Sequence, residues 1–209
     1  MKANTKETQA QMTPDSSLQE LINGNHRFTQ KNVVDRDLMQ QVDETSTGQF
    51  PHSTILSCID SRVSSELIFD QGIGDIFSAR IAGNFVNEDI LGSMEFACKL
   101  AGTKLLVVLG HTACGAVKGA CDHARLGNLT ALIKKIEPAV AAVINPKDEA
   151  LRNSGNIDFV NEVAKKNVLM TLDNIRVNSE VLAEMEQKGE IKIIGGMYNI
   201  NTGIVDFYK

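Results

Sequence analysis

Lys104-Leu105-Leu106-Val107-Val108-Leu109-Gly110-His111-Thr112-Ala113-Cys114 is the stretch from which the rest of this 209-residue chain can be read. Leu105 to Leu109 are all aliphatic and leave no polar face. A strand of that composition is buried on both sides, as in the middle of a parallel sheet. Gly110-His111 follows directly, and Thr112 is expected to begin a helix with Cys114 in its first turn. Upstream, Ser53-Thr54-Ile55-Leu56-Ser57 is a second run of β-formers, and it ends at Cys58.

The flanking pattern extends this reading. Asp75 to Ile81 predicts another strand, closed by the turn Ala82-Gly83-Asn84. Ile191 to Ile194 and Gly203 to Phe207 read as the last two strands, the final one an antiparallel edge. Gly195-Gly196 predicts close backbone packing. Helices are expected over Val63–Asp70, Asp89–Leu100, Leu129–Ile144 with a break at Pro138, and Asn156–Gln187. Strands alternating with helices give an α/β fold: a mostly parallel central sheet, about four parallel strands plus an antiparallel edge strand, flanked by helices. Residues 1–12 read as a flexible tail, 13–45 as a helical arm and 50–209 as the core of a single domain. The arm starts at Thr13-Pro14-Asp15-Ser16, with a second short helix over Val34–Val42. Neither helix has a large apolar face, so the arm is expected to pack on another subunit.

Composition excludes several kinds of function. Hydrophobic residues make up 43% of the chain and charged residues 22%, ordinary for a globular protein. Acidic residues outnumber basic ones 26 to 21, and no basic block stands out, so no nucleic-acid partner is expected. No apolar stretch is long enough to span a membrane. Met1 to Ser17 carries no apolar segment of signal-peptide type, and the expected location is cytoplasmic. The four cysteines, Cys58, Cys98, Cys114 and Cys121, are too few for a disulfide framework and read as ligands or buried thiols.

Cys58-Ile59-Asp60-Ser61-Arg62 and His111-Thr112-Ala113-Cys114 concentrate the chemistry, both at carboxyl ends of predicted strands, where open α/β sheets bind ligands. Two thiolates and an imidazole make three corners of a tetrahedral zinc site, and three protein ligands leave a place for water, as catalytic sites do. One Zn2+ per chain, held by Cys58, His111 and Cys114, is the expected cofactor. A helix start would favour a thiolate at Cys114, and Gly115 would let backbone approach closely. Two thiolates cancel the charge of the metal, so its water loses a proton reluctantly and activity should favour mildly alkaline pH. Asp60 could accept a hydrogen bond from the hydroxide, with Arg62 holding it by a bidentate pair. Asp60 has another option: it could fill the fourth corner itself at lower pH, with Arg62 taking it back at higher pH.

Cys-x-Asp-x-Arg followed by His-x-x-Cys resembles the signature of the β-class carbonic anhydrases. The likeness runs from about Leu18 to Phe207 and includes Glu66-Leu67-Ile68-Phe69, Arg80-Ile81-Ala82-Gly83-Asn84 and Gly110 to Ala116. It implies a zinc lyase that reversibly hydrates carbon dioxide to bicarbonate and a proton, with zinc-bound hydroxide as nucleophile. It also implies a homodimer, often paired into a homotetramer, with N-terminal helices embracing the partner. By spacing, Gln49 matches a glutamine that donates to substrate, Phe77 and Ala82 match apolar wall positions, and Phe96 matches a tyrosine of the partner subunit. The hydroxyl is lost at Phe96 and the apolar wall kept. Tryptophan, which helps some members hold an inhibitory bicarbonate, is absent.

The remaining chemistry-bearing residues read more plainly. Cys98 and Cys121 are helix-packing thiols, Arg80 braces strand ends or an interface, and Gly83-Asn84 answers to a turn. His26, His52 and His123 are surface or capping histidines. Two other functions compete with the first: a carbonyl sulfide or carbon disulfide hydrolase on the same scaffold, and a non-catalytic zinc-binding module with a fourth permanent ligand.

Overall fold

The computed structural model describes residues 2–208; Met1, the first residue of the predicted tail, lies outside them, as does Lys209. Five strands, β1 Ser53–Ser57, β2 Ile76–Arg80, β3 Leu105–His111, β4 Lys192–Tyr198 and β5 Val205–Tyr208, form one sheet in the order β2-β1-β3-β4-β5. The first four are parallel and β5 runs antiparallel to β4, the α/β architecture expected. The chain steps from β1 to β2 on one side, then returns past β1 to β3 on the other. That reversal opens a crevice at the carboxyl ends of β1 and β3, the usual ligand site in such sheets. Cys58 follows the last residue of β1 and His111 is the last residue of β3.

Strand alternation divides the core. Leu56, Leu106, Val108 and Ile193 pack with Met94, Val168, Leu172 and Leu182, which belong to α5 Glu88–Glu95, α9 Ile157–Asn178 and α10 Glu180–Gln187. Ile55, Leu105, Val107 and Ile194 pack on the other face with Leu21 of α2 Pro14–Thr29 and with Ile68 of α4 Ser65–Ile68. Each such fully buried side chain stabilises the fold by roughly 1.5–3 kcal/mol. α9 lies unusually close to the sheet. A Cβ on Gly110 would sit 2.6 Å from Val168 Cγ2, and one on Gly195 would sit 2.7 Å from Val168 Cγ1. Gly110 and Gly195 make a slot for Val168; of the Gly195-Gly196 pair read from the sequence, Gly195 faces α9, and a Cβ on Gly196 would instead meet Val205 Cγ1 at 3.3 Å.

Several expectations are revised. The segment read as a loose tail contains a helix, α1 Lys6–Gln11, with a Thr5 capping box. Gln9 is buried and donates to the carbonyls of Pro51 and Ala101. α2 sits on its own protomer's sheet: Leu21 is in the core, and Asn25 donates to Ile68 O and Gly203 O. The second arm helix is α3 Leu38–Thr45, which leaves Leu38, Met39 and Val42 exposed. Helix α6 runs over Gly115–Cys121, three residues later than expected, because Ala113 adopts a left-handed conformation (φ 54°). The break near Pro138 falls between α7 Leu129–Ile133 and α8 Glu137–Ala142. The long C-terminal helical pattern splits at Ser179, whose hydroxyl caps α10. His52 is buried against Gln71 and Ser53, not on the surface.

Candidate active site

The ligand half of the site is built from two strand ends and a helix start. Cys58 leaves β1, His111 closes β3, and Cys114 is the N-cap of α6. Their ligand atoms all lie within 4.8 Å of one another, and all three residues are buried. Cys58 Sγ and Cys114 Sγ are 3.9 Å apart. Two sulfurs on tetrahedral zinc, each at about 2.3 Å, would be about 3.8 Å apart. His111 Nδ1 contacts the carbonyl of Thr112 at 3.0 Å, which fixes the ring and frees Nε2 as the donor atom. Nε2 is buried with no hydrogen-bond partner. An orphaned buried nitrogen beside two close sulfurs fits a thiophilic cation.

Electrostatics give the same answer. The Cys114 sulfur, together with the His111 ring and the Gly83 N–H, pushes the Cys58 thiol down to about 4. The same contact drives Cys114 up, and burial adds to it. The two thiols share one proton until a cation neutralises the second charge. Cys98 and Cys121 are buried and unpaired, with burial pushing both thiols up, consistent with packing roles.

Asp60 and Arg62 stand at the rim. Arg62 donates from Nε and its backbone N–H to Asp60 Oδ1, at 2.9 and 3.0 Å, and from Nη2 to Oδ2 at 2.7 Å. These bonds hold the Asp60 carboxyl well below the usual carboxylate range. Asp60 Oδ2 lies 3.9 Å from His111 Nε2, facing the ligand triangle from outside it. Arg80 braces the loop from below, donating to Cys58 O at 3.0 Å and Asp60 O at 2.7 Å. Gly83 (φ 82°) turns its N–H onto Cys58 Sγ at 3.4 Å. Gly115, expected to admit a close backbone approach, has open space where its Cβ would be.

The carbonic anhydrase family model matches residues 53–205. Carbonic anhydrase 2 of Mycobacterium tuberculosis is 32% identical over 200 residues, covering 91% of this chain and 90% of that one. The solved structure of the β-carbonic anhydrase CcaA superposes with a TM-score of 0.72 at 27% identity, covering 93% of this chain and 88% of that chain. Tetrameric β-carbonic anhydrases of Sordaria macrospora share the fold, with a TM-score of 0.66 at 22% identity over 78% of this chain and 82% of that one. The chain belongs to the β-class carbonic anhydrases.

The resemblance also predicted pocket residues, and here the structure separates them. Ala82 is half-buried beside Gly83, next to the ligand loop. Phe77 is paired in register with Thr54, four residues before Cys58, so about 13 Å down the sheet. Phe96 meets Phe77 there, ring centroids 6.3 Å apart in an edge-on arrangement. Gln49 is exposed and precedes the opposite end of β1. Two residues escaped the sequence reading. Asn161 Oδ1 accepts from Ala113 N at 2.9 Å, and buried Asn167 Nδ2 donates to Gly83 O at 2.8 Å. The one available signal was an asparagine on the apolar face of α9, because a buried amide needs a partner.

Proposed function

We propose that this chain reversibly hydrates carbon dioxide to bicarbonate and a proton, using one zinc ion held by Cys58, His111 and Cys114. The observation that carries the reading is the pair of sulfurs 3.9 Å apart beside the orphaned His111 Nε2. When bound, zinc supplies the Lewis acidity that makes water a nucleophile near neutral pH. Asp60 accepts a hydrogen bond from the attacking solvent molecule and aims it. Arg62 keeps Asp60 ionised and turned away from the metal. That ion pair also makes a gate. Arg62 is 51% exposed, so its hold on Asp60 is screened by water and modest. Released from Arg62, the Asp60 carboxylate would be free to join Cys58, His111 and Cys114 in holding the metal, which would stop turnover.

Carbon dioxide has no charge to grip, so an apolar wall suits it. We assign Ala82 to that wall from within the chain, and Phe77, Phe96 and Gln49 from a second copy. Phe96, which packs on Phe77 of edge strand β2, is 49% exposed, and Leu100, four residues on, is 76% exposed, a surface suited to a homodimer that pairs further into a tetramer. Four unpaired thiols suit a reducing cytoplasm. Among the described residues no helix is long and apolar enough to cross a membrane.

The test is stopped-flow hydration of carbon dioxide by the zinc-loaded chain, with carbonyl sulfide and carbon disulfide as parallel substrates. Turnover of carbon dioxide above the other two is expected. Turnover restricted to the sulfur compounds would transfer the assignment to the hydrolase, and inactivity towards all three would leave a zinc-binding module.

A further inference from the structure

We propose that Asn161 and Asn167 of α9 are positioning residues that set the spacing of the three metal ligands. The inference rests on the zinc reading above and deepens it. His111 and Cys114 are separated by Thr112 and Ala113, and the chain can bring both onto one ion only if it turns sharply between them. Ala113 supplies the turn at φ 54°, which a residue bearing a Cβ adopts at a cost. Asn161 Oδ1 accepts the Ala113 N–H at 2.9 Å and holds that peptide in place. The second ligand loop is held the same way. Gly83 also needs a positive φ, at 82°, and a Cβ there would strike Ile136 Cδ1 at 2.4 Å. Asn167 Nδ2 donates to Gly83 O at 2.8 Å, and the Gly83 N–H in turn donates to Cys58 Sγ at 3.4 Å.

One helix therefore clamps both loops, and the sheet is shaped to let it. Val168 occupies the slot left by Gly110 and Gly195, so α9 approaches closely enough for short asparagine side chains to reach. A longer amide would be needed from a helix at ordinary distance. The orientation of each amide is fixed by its backbone partner. A backbone N–H can only donate, so Asn161 presents its oxygen; a carbonyl can only accept, so Asn167 presents its nitrogen.

That asymmetry supplies the experiment. Zinc affinity is measured by chelator competition on the full chain and on Asn161→Leu, Asn161→Asp, Asn167→Leu and Asn167→Asp. The thiolate-to-metal absorption of the cobalt-loaded forms is recorded as a second readout. The leucine variants should bind zinc about 10–100-fold more weakly, the range for outer residues that orient ligands. Asn161→Asp keeps an acceptor oxygen and should retain near-normal affinity and spectrum. Asn167→Asp sets a carboxylate against a carbonyl and should not. Thermal melts of the metal-free variants identify any general loss of stability, and half-buried Asn161 carries the test should an Asn167 variant fail to fold. A wild-type chain that takes up no zinc overturns the function and this inference together. A wild-type chain that binds zinc, with leucine variants binding equally well or Asn161→Asp as weak as Asn161→Leu, overturns this inference alone.

Discussion

The carboxyl ends of β1 and β3 and the face around Phe77 and Phe96 differ in what one chain can finish. At the strand ends, Cys58, His111 and Cys114 are buried, close and braced by Arg80, Gly83 and α9. At the aromatic face, Phe77 and Phe96 pack on each other, and Phe96 is 49% exposed to solvent. If the proposed function holds, the difference teaches that this fold converges its metal-holding residues within one protomer and leaves the substrate wall to be borrowed. A buried polar triangle left half-assembled would be costly to fold around. An exposed phenylalanine costs little until another surface covers it. Under the proposed function, the first region is complete in a single copy and the second becomes a wall only in the oligomer.

The largest expected effect breaks the first region. Cys58→Ala and His111→Ala should each lose zinc and all measurable turnover, read by elemental analysis and carbon dioxide hydration; stoichiometric zinc in either would contradict the ligand assignment. Arg62→Ala should keep zinc while turnover at neutral pH falls about 10–100-fold, because Asp60 is freed to occupy the metal. Unchanged turnover would count against the gate. Phe96→Lys attacks the second region: self-association should weaken by about tenfold or more and activity should fall with it, while zinc per chain stays constant. Sedimentation of that variant with an unaltered mass and unaltered activity would remove the aromatic face from the account. The smallest expected effect is no change at all. The Asp60 carboxyl is held below its usual value by Arg62, so it stays ionised above about 3.9 and loses that advantage only as pH falls through its lowered value. The turnover ratio of wild type to Asp60→Asn, with both activities per zinc-loaded site and the wild-type activity referred to sites in which Asp60 is paired to Arg62, should therefore not change through protonation of Asp60 between about pH 6 and about pH 9. A break in that ratio with the slope of one proton lost from Asp60 would show that the pair is weaker than its geometry implies.

The legible and illegible parts of the chain divide on similar lines. Leu105 to Leu109 announced a central strand because burial on both faces leaves an unbroken apolar run. The convergence of Cys58, His111 and Cys114 was legible because two thiols and an imidazole at strand ends have few other uses. Strand order was not, since it depends on which side each crossover takes. α1 was missed because its one buried residue is Gln9, and a single polar contact leaves no periodicity. The helix start at Gly115 was placed too early because the left-handed Ala113 is held by Asn161, 48 residues away in sequence. The aromatic wall came from likeness of spacing, and the register of β2 on β1 shows why geometry within one protomer does not assemble it.

X-ray absorption at the zinc edge of the purified full chain tests the central claim most directly. The account predicts one zinc per chain with two sulfur neighbours at about 2.3 Å and two nitrogen or oxygen neighbours at about 2.0–2.2 Å, one of them imidazole. A chain without zinc, or zinc surrounded only by nitrogen and oxygen, would contradict it.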